Sequence, residues 1–184
     1  QHITAGAYSH FNVFQDKCYW SSQPSYYRGE YSLSTKAGRY DFSLGDGIYY
    51  FEDTDFLFKG KTLNNRWLRL VAESEIRRIG DISIIFCSDN YILDVNQKYL
   101  QHDYFTDIIT FDYCEGDRLS GDLFISVDSV RENALEYGTD FKDELNRVIV
   151  HGILHLIGYD DHSDEDIAQM RSKENYYLSL RELI

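Results

Sequence analysis

Apolar residues along the chain recur with two different periods, and their alternation sketches a sheet with helices before any chemistry is considered. The run IYYFEDTDFLF at 48–58 is aromatic and strand-like. Leu63, Trp67, Leu70, Val71 and Ser74 then recur at helical spacing, which predicts a helix from about Leu63 to Ile79 with those residues on one face. DISIIFCSD at 81–89 is a short apolar strand, and Ser88 or Asp89 is suited to cap a helix over roughly Asn90 to Leu100, with Ile92, Val95, Asn96 and Tyr99 inward. TDIITFDY at 106–113 and GDLFISV at 121–127 are two further strands, and CEGDRLS between them is long enough for a hairpin or a looser loop. The charged periodicity after Asp128, in SVRENALEYG, predicts a helix. Another starts near Asp140 and runs through DFKDELNRVIVHGILHLIG, its apolar side broad enough for a central position. A last helix covers about Ser163 to Glu182, with Ser163 and Asp166 at the spacing of a capping box. The expected architecture is α+β: a small mixed sheet of about four strands packed with about five helices.

The first 46 residues break this regularity. They hold the only proline, Pro24, and mix tyrosine with Gly and Ser, which suggests short strands and turns or an appended segment. Residues 1–46 are therefore taken as an extension of unknown role, and residues 47–184 as the domain. The tyrosines of 8–50 offer surfaces on which bases can stack, although a surface sheet or a segment foreign to the domain explains them as well. With 184 residues and 43% hydrophobic content, the chain suffices for one sizeable core. No apolar run approaches the roughly 20 residues that span a bilayer, so no membrane association is expected. The opening segment, with Gln1, His2, His10 and Asp16, lacks the order of a cleavable leader. Cys18, Cys87 and Cys114 are odd in number and widely spaced, which points to a reducing, cytoplasmic setting.

Charge complicates any nucleic-acid role. The formal net charge is −13, and because the first 46 residues are balanced, the whole excess lies in the domain. Such a surface repels polyanions at long range, so an RNA substrate requires a locally positive cleft, metal ions or a partner.

The chemistry concentrates in HGILHLIGYDDH, residues 151–162. His151 and His155 are four apart on an apolar helix, so both imidazoles project from one face and can meet one metal ion. Arg147 lies one turn back on that face. The plainer account is a pair of core histidines satisfied by backbone or carboxylate groups. Gly158 favours the metal, because glycine ends a helix in the left-handed region and lets the chain return a further ligand from the next loop. Two helical ligands and one from a loop leave a position open to water, a catalytic arrangement. The residue after the first histidine is Gly152, whereas the metalloprotease pattern HExxH needs glutamate there as general base, so peptidase activity is disfavoured.

HGILHLIGYDD resembles the H-G-x-L-H-L-x-G-Y-D-H motif of the YbeY family. TDIITF at 106–111 is similar to that family's T-D-V-L-S-F segment, and SGDLFIS at 120–126 to its G-D-I-x-I-S strand, in matching order. The resemblance covers about residues 48–184 and leaves out 1–46. It implies a cytoplasmic endoribonuclease with one zinc ion, acting on single-stranded RNA and on the 3′ end of small-subunit ribosomal RNA, with a role in ribosome quality control. RNA and the ribosome or its proteins are the implied partners, with no DNA expected. It also implies His151 and His155 as the first two ligands; Arg147, by its place one turn back on their face, is a further candidate catalytic residue.

The chain departs from the family pattern twice. The family's third histidine falls on Asp161, and a histidine follows one place later at His162. Asp161 is favoured as third ligand, since spacing from a rigid helix end changes less readily than ligand type, while His162 stays the nearby rival. His162 is otherwise a surface residue beside the cap at Ser163, and Asp160 a turn residue. The family's phosphate-contacting arginine follows an aromatic residue, and that place after Tyr99 is Leu100. Lys98, His102 and Arg147 are the candidates to replace it. Asp107 and Asp122 are candidates to support the ligands from behind, although either can equally satisfy turn or strand-end backbone donors. Two other functions compete with the nuclease: a non-catalytic ribosome-assembly factor whose metal is structural, and a metal-dependent hydrolase of a different substrate.

Overall fold

The computed structural model describes residues 10–12, 47–101 and 105–184, with the backbone alone at 10–12, 47 and 48; Cys18, His102 and most of the N-terminal extension lie outside the described residues. Five strands form one sheet: β1 (His10–Asn12), β2 (Gly47–Glu52), β3 (Arg78–Cys87), β4 (Ile108–Asp112) and β5 (Arg118–Ser126). Their order is β1-β4-β5-β3-β2. β2, β3 and β5 run parallel, β4 is antiparallel to β5, and β1 adds a parallel edge to β4. The sheet is mixed, as the pattern predicts. Its four longer strands are the expected ones, and the fifth, β1, comes from the N-terminal extension.

Five helices pack on it: α1 (Lys61–Ser74), α2 (Asp89–Val95, continued by a π-helical turn at Asn96–Leu100), α3 (Val127–Tyr137), α4 (Phe141–Ile157) and α5 (Asp164–Arg181). Strand alternation sorts the sheet into two faces. Leu119, Leu123 and Ile125 of β5 point into the larger core, shared with Trp67 of α1, Val130 of α3, Ile149 and Ile153 of α4 and Met170 and Tyr177 of α5. Phe124 points the other way, against Ile92, Val95 and Leu100. The helix α4 therefore lies in the thicker layer, buried along most of its length.

Local chemistry explains most boundaries. Ser88 caps α2 by accepting from the Tyr91 amide at 3.1 Å, and Ser163 and Asp166 form the expected capping box on α5. The segment between β4 and β5 is a hairpin, closed by a bridge between Glu115 and Arg118 with Gly116 in the left-handed region. The helix predicted to reach Ile79 ends at Ser74. Ile76 turns left-handed at φ 57°, and Arg78 and Ile79 join the sheet opposite Arg118 and Leu119. The buried stripe of α1 is also rotated from the predicted one, to Asn64, Trp67, Leu68, Val71 and Ala72; Ser74 faces solvent and bonds back to the Leu70 carbonyl.

Two glycines let α4 approach the sheet. A Cβ on Gly152 would lie 2.6 Å from Leu123 Cδ2 and 2.7 Å from Ile108 Cδ1. The position that holds the base in HExxH is thus pressed against β4 and β5, where a glutamate has no room. A Cβ on Gly121 would lie 2.5 Å from the Phe111 carbonyl oxygen and 2.9 Å from Leu156. Because the first of these neighbours is backbone, Gly121→Ala is expected to lower stability by about 2 kcal/mol, seen as a lower urea midpoint with unchanged slope.

Candidate metal centre

The sequence places the two histidines by ending α4 where it does. Gly158 takes φ 119°, and the amides of Gly158 and Tyr159 both return to the Leu154 carbonyl, at 3.1 and 3.0 Å. This turn aims residues 159–161 back along the helix. His151 and His155 are buried, with their rings perpendicular and 4.5 Å apart.

The outer nitrogen of each ring is already committed. His151 Nδ1 lies 2.6 Å from Glu174 Oε1 of α5, and His155 Nδ1 lies 3.0 Å from the Tyr159 carbonyl oxygen. A carbonyl only accepts, so Nδ1 of His155 carries a proton, and the Glu174 carboxylate holds the proton on Nδ1 of His151 in the same way. Each neutral ring then presents a bare lone pair at Nε2. Those two Nε2 atoms face each other at 3.0 Å in a buried space, close enough to share a proton or to bind one ion between them. Two nitrogens about 2.0–2.1 Å from a tetrahedral zinc are about 3.3 Å apart, so the pair is spaced for one ion. Asp161 Oδ2 stands 4.0 Å from His155 Nε2, and the ligand atoms of His151, His155 and Asp161 all fall within 4.8 Å of one another. The donor set fits zinc or a similar divalent ion.

The loop separates the two rivals for the third place. Asp161 turns toward the histidine pair, whereas the half-exposed His162 pairs with Asp160 Oδ1 at 3.0 Å. Asp160, Asp161 and His162 also form a group whose ligand atoms lie within 4.8 Å of one another, more exposed than the first.

Behind the ligands stands Glu174, which the sequence pattern did not single out. It is 1% exposed, and its second oxygen accepts from Arg147 Nη1 at 3.2 Å; the same Arg147 nitrogen lies 2.7 Å from Asn175 Oδ1. The available signal was an acid on the buried stripe Met170, Glu174, Tyr177, Arg181 of the last helix. Asp107 instead receives a hydrogen bond from Asn133 Nδ2 at 3.1 Å. Asp122 shares the side of β5 that carries Phe124, opposite to α4. Leu100 is buried in the smaller core, so the place after Tyr99 serves packing, and Lys98 is exposed with its amine 4.9 Å from the Tyr99 ring centre. Among the described candidates, Arg147 is the cation that shares Glu174 with His151.

Glu144, also on α4, is a buried carboxyl with Oε1 lacking a hydrogen-bond partner. Burial, and then the Glu174 charge, push its pKa up to about 7, against the pull of Arg171. A folded-state pKa above the unfolded value means that the folded protein holds this proton more tightly. The group therefore favours folding below its ordinary range, about pH 4.5, and loses that advantage as pH rises through about 7. Glu144→Gln is expected to match the wild type near pH 4.5 and to exceed it by about 2 kcal/mol at pH 8, measured by urea denaturation of chelator-treated protein.

A mixed sheet backs a helix that offers two imidazoles beside a returning carboxylate, the class of site that could hold a catalytic metal ion. The family model described as Endoribonuclease YbeY matches residues 52–181, and the chain belongs to that enzyme family. It is 55% identical over 121 residues to endoribonuclease YbeY of Bacteroides thetaiotaomicron, covering 66% of this chain and 88% of the relative. The Parabacteroides distasonis protein of the same name is 52% identical over 132 residues, covering 72% and 93%. The solution structure of TM1509 from Thermotoga maritima superposes with a TM-score of 0.54 at 30% identity, covering 72% of this chain and 88% of that one.

Proposed function

We propose that this protein is a single-metal endoribonuclease, using zinc to cut single-stranded RNA during ribosomal RNA maturation, including small-subunit 3′-end formation and ribosome quality control, in the cytoplasm. The observation that carries the metal is the buried pair of Nε2 atoms facing each other at 3.0 Å with the Asp161 carboxylate beside them, a donor set within reach of one ion; the RNA substrate rests on the family. His151, His155 and Asp161 are the proposed ligands. A divalent ion held there supplies Lewis-acid activation of water and neutralises charge at a phosphoryl oxygen. Glu174 and the Tyr159 carbonyl keep each ring in the tautomer that donates Nε2 to the ion. Arg147, held by Glu174 and Asn175, has further N–H donors for a phosphate oxygen of the substrate.

The acidic surface fits a substrate delivered within a ribosomal particle, whose basic proteins and bound cations supply the counter-charge. Residues 1–46 are proposed as an extension to a YbeY-type domain at 47–184, which agrees with a family match that begins at residue 52. No helix among the described residues is long and apolar enough to cross a membrane. Chelator-stripped protein is expected to lose cleavage of a single-stranded RNA and to regain it with one equivalent of zinc. Undiminished cleavage by metal-free protein would refute the proposal.

A further inference from the structure

The loop that follows α4 carries two things the site needs: the Tyr159 carbonyl that orients His155, and Asp161. Its backbone is set at one end by the turn at Gly158. A second hold comes from far away in sequence. The Tyr159 hydroxyl donates to Glu75 Oε2 at 3.0 Å, and Glu75 is the residue that ends α1. The other oxygen, Oε1, accepts from Lys173 Nζ at 2.6 Å and from the Tyr177 hydroxyl, both on α5. Lys173 also lies over the Tyr159 ring, 5.2 Å from its centre. Burial raises the Glu75 pKa, but hydrogen bonds from Lys173, Tyr177 and Tyr159 outweigh it and keep the carboxyl below its ordinary range.

Glu75 thus joins α1, α5 and the loop at one carboxylate, and α5 is also the helix that brings Glu174 to His151. One end of this arrangement touches the first histidine and the other reaches the second. We infer that Glu75 is a positioning residue for the metal centre, acting through the Tyr159 hydroxyl to hold the loop that presents the Tyr159 carbonyl to His155 and Asp161 to the ion. This rests on the metal assignment above. The bond partners explain why an acid serves at position 75: a neutral group there would lack the charge that draws Lys173 and both hydroxyls to one point.

The test uses the full chain with Zn2+ and Co2+ alone. Zinc affinity is read by competition with a chromophoric chelator, geometry by the visible spectrum of the Co2+ form, and fold by thermal melting of metal-free protein. Tyr159→Phe, which removes one hydroxyl, is expected to weaken zinc binding about tenfold and to alter the Co2+ spectrum, with melting little changed. Glu75→Leu should weaken zinc binding at least as much. Glu75→Gln, which keeps an acceptor for Tyr159 but not the charge that holds Lys173, should restore part of the affinity that Glu75→Leu loses. Combining Tyr159→Phe with Glu75→Leu should cost no more affinity than Glu75→Leu alone, since both cut one route. Singles that bind zinc as the wild type does, with the same Co2+ spectrum, overturn the inference, as do losses that multiply in the double variant. A wild type that takes up no stoichiometric metal overturns the metal assignment itself, and this inference with it.

Discussion

His155→Ala is expected to purify without stoichiometric metal and to cleave single-stranded RNA at least about a thousandfold more slowly than the wild type. Structural zinc sites bind with about 10–16 kcal/mol in total, so losing one of three protein ligands costs about 4 kcal/mol, or three decades in affinity. His155 is fully buried, and its Nδ1 bond to Tyr159 holds the ring in one orientation. The same measurement separates the two rivals for the third place. Asp161→Ala should weaken metal binding about 10- to 100-fold, because an oxygen ligand is lost while both imidazoles remain. His162→Ala should change it less than about twofold, since that ring pairs with Asp160 at the surface. Metal-to-protein ratios from elemental analysis decide the matter, and full occupancy in His155→Ala would show that the ligands are misassigned.

Replacing Glu174 has the second-largest expected effect, and it acts on two properties at once. Its carboxylate fixes the tautomer of His151 and neutralises Arg147, with the side chain almost wholly enclosed. Glu174→Ala leaves the buried His151 N–H without its acceptor and takes the Arg147 guanidinium's charged partner, leaving it Asn175 alone. Removal of one partner from a buried ion pair costs about 3–5 kcal/mol, so the urea midpoint should fall sharply. Metal affinity should fall about 10- to 100-fold, as for other groups that orient a ligand from behind. Glu174→Gln keeps an acceptor of the same shape and should recover most of the stability but less of the affinity, because the charge that makes His151 a stronger donor is gone. The same change removes the repulsion that helps raise Glu144, so the pH dependence of stability assigned to Glu144 should become shallower. If Glu174→Ala bound zinc as tightly as the wild type, Glu174 would have no part in holding His151.

The helices with strong local signals were legible from sequence. Ser163 with Asp166, and Gly158 after an apolar helix, are chemical marks within a few residues of the boundary they set, so α5 and the end of α4 fall where the pattern puts them. The strands β3, β4 and β5 were legible as apolar runs bounded by turn residues. The boundary at Ser74 was not, because what ends α1 is the pairing of Arg78 and Ile79 with β5, a contact across the sheet. Asp122 shows the same limit at a single residue: its place beside a family-like strand suggested the metal site, and only the alternation of β5 against α4 puts it on the opposite face.

The His151–His155 pair and the glycine that turns the chain behind it were determined by the sequence alone, because helix period and glycine stereochemistry act over a few residues; the sequence left Asp161 and His162 as rivals for the next place. Tertiary structure decided which groups stand behind the pair. Glu174 reaches His151 across 23 positions, and Glu75 reaches Tyr159 across 84. Both are acids whose neighbours in sequence give no sign of a partner. Their role depends on how α1 and α5 pack around α4, and that packing follows from burial of the whole core, which no local pattern encodes.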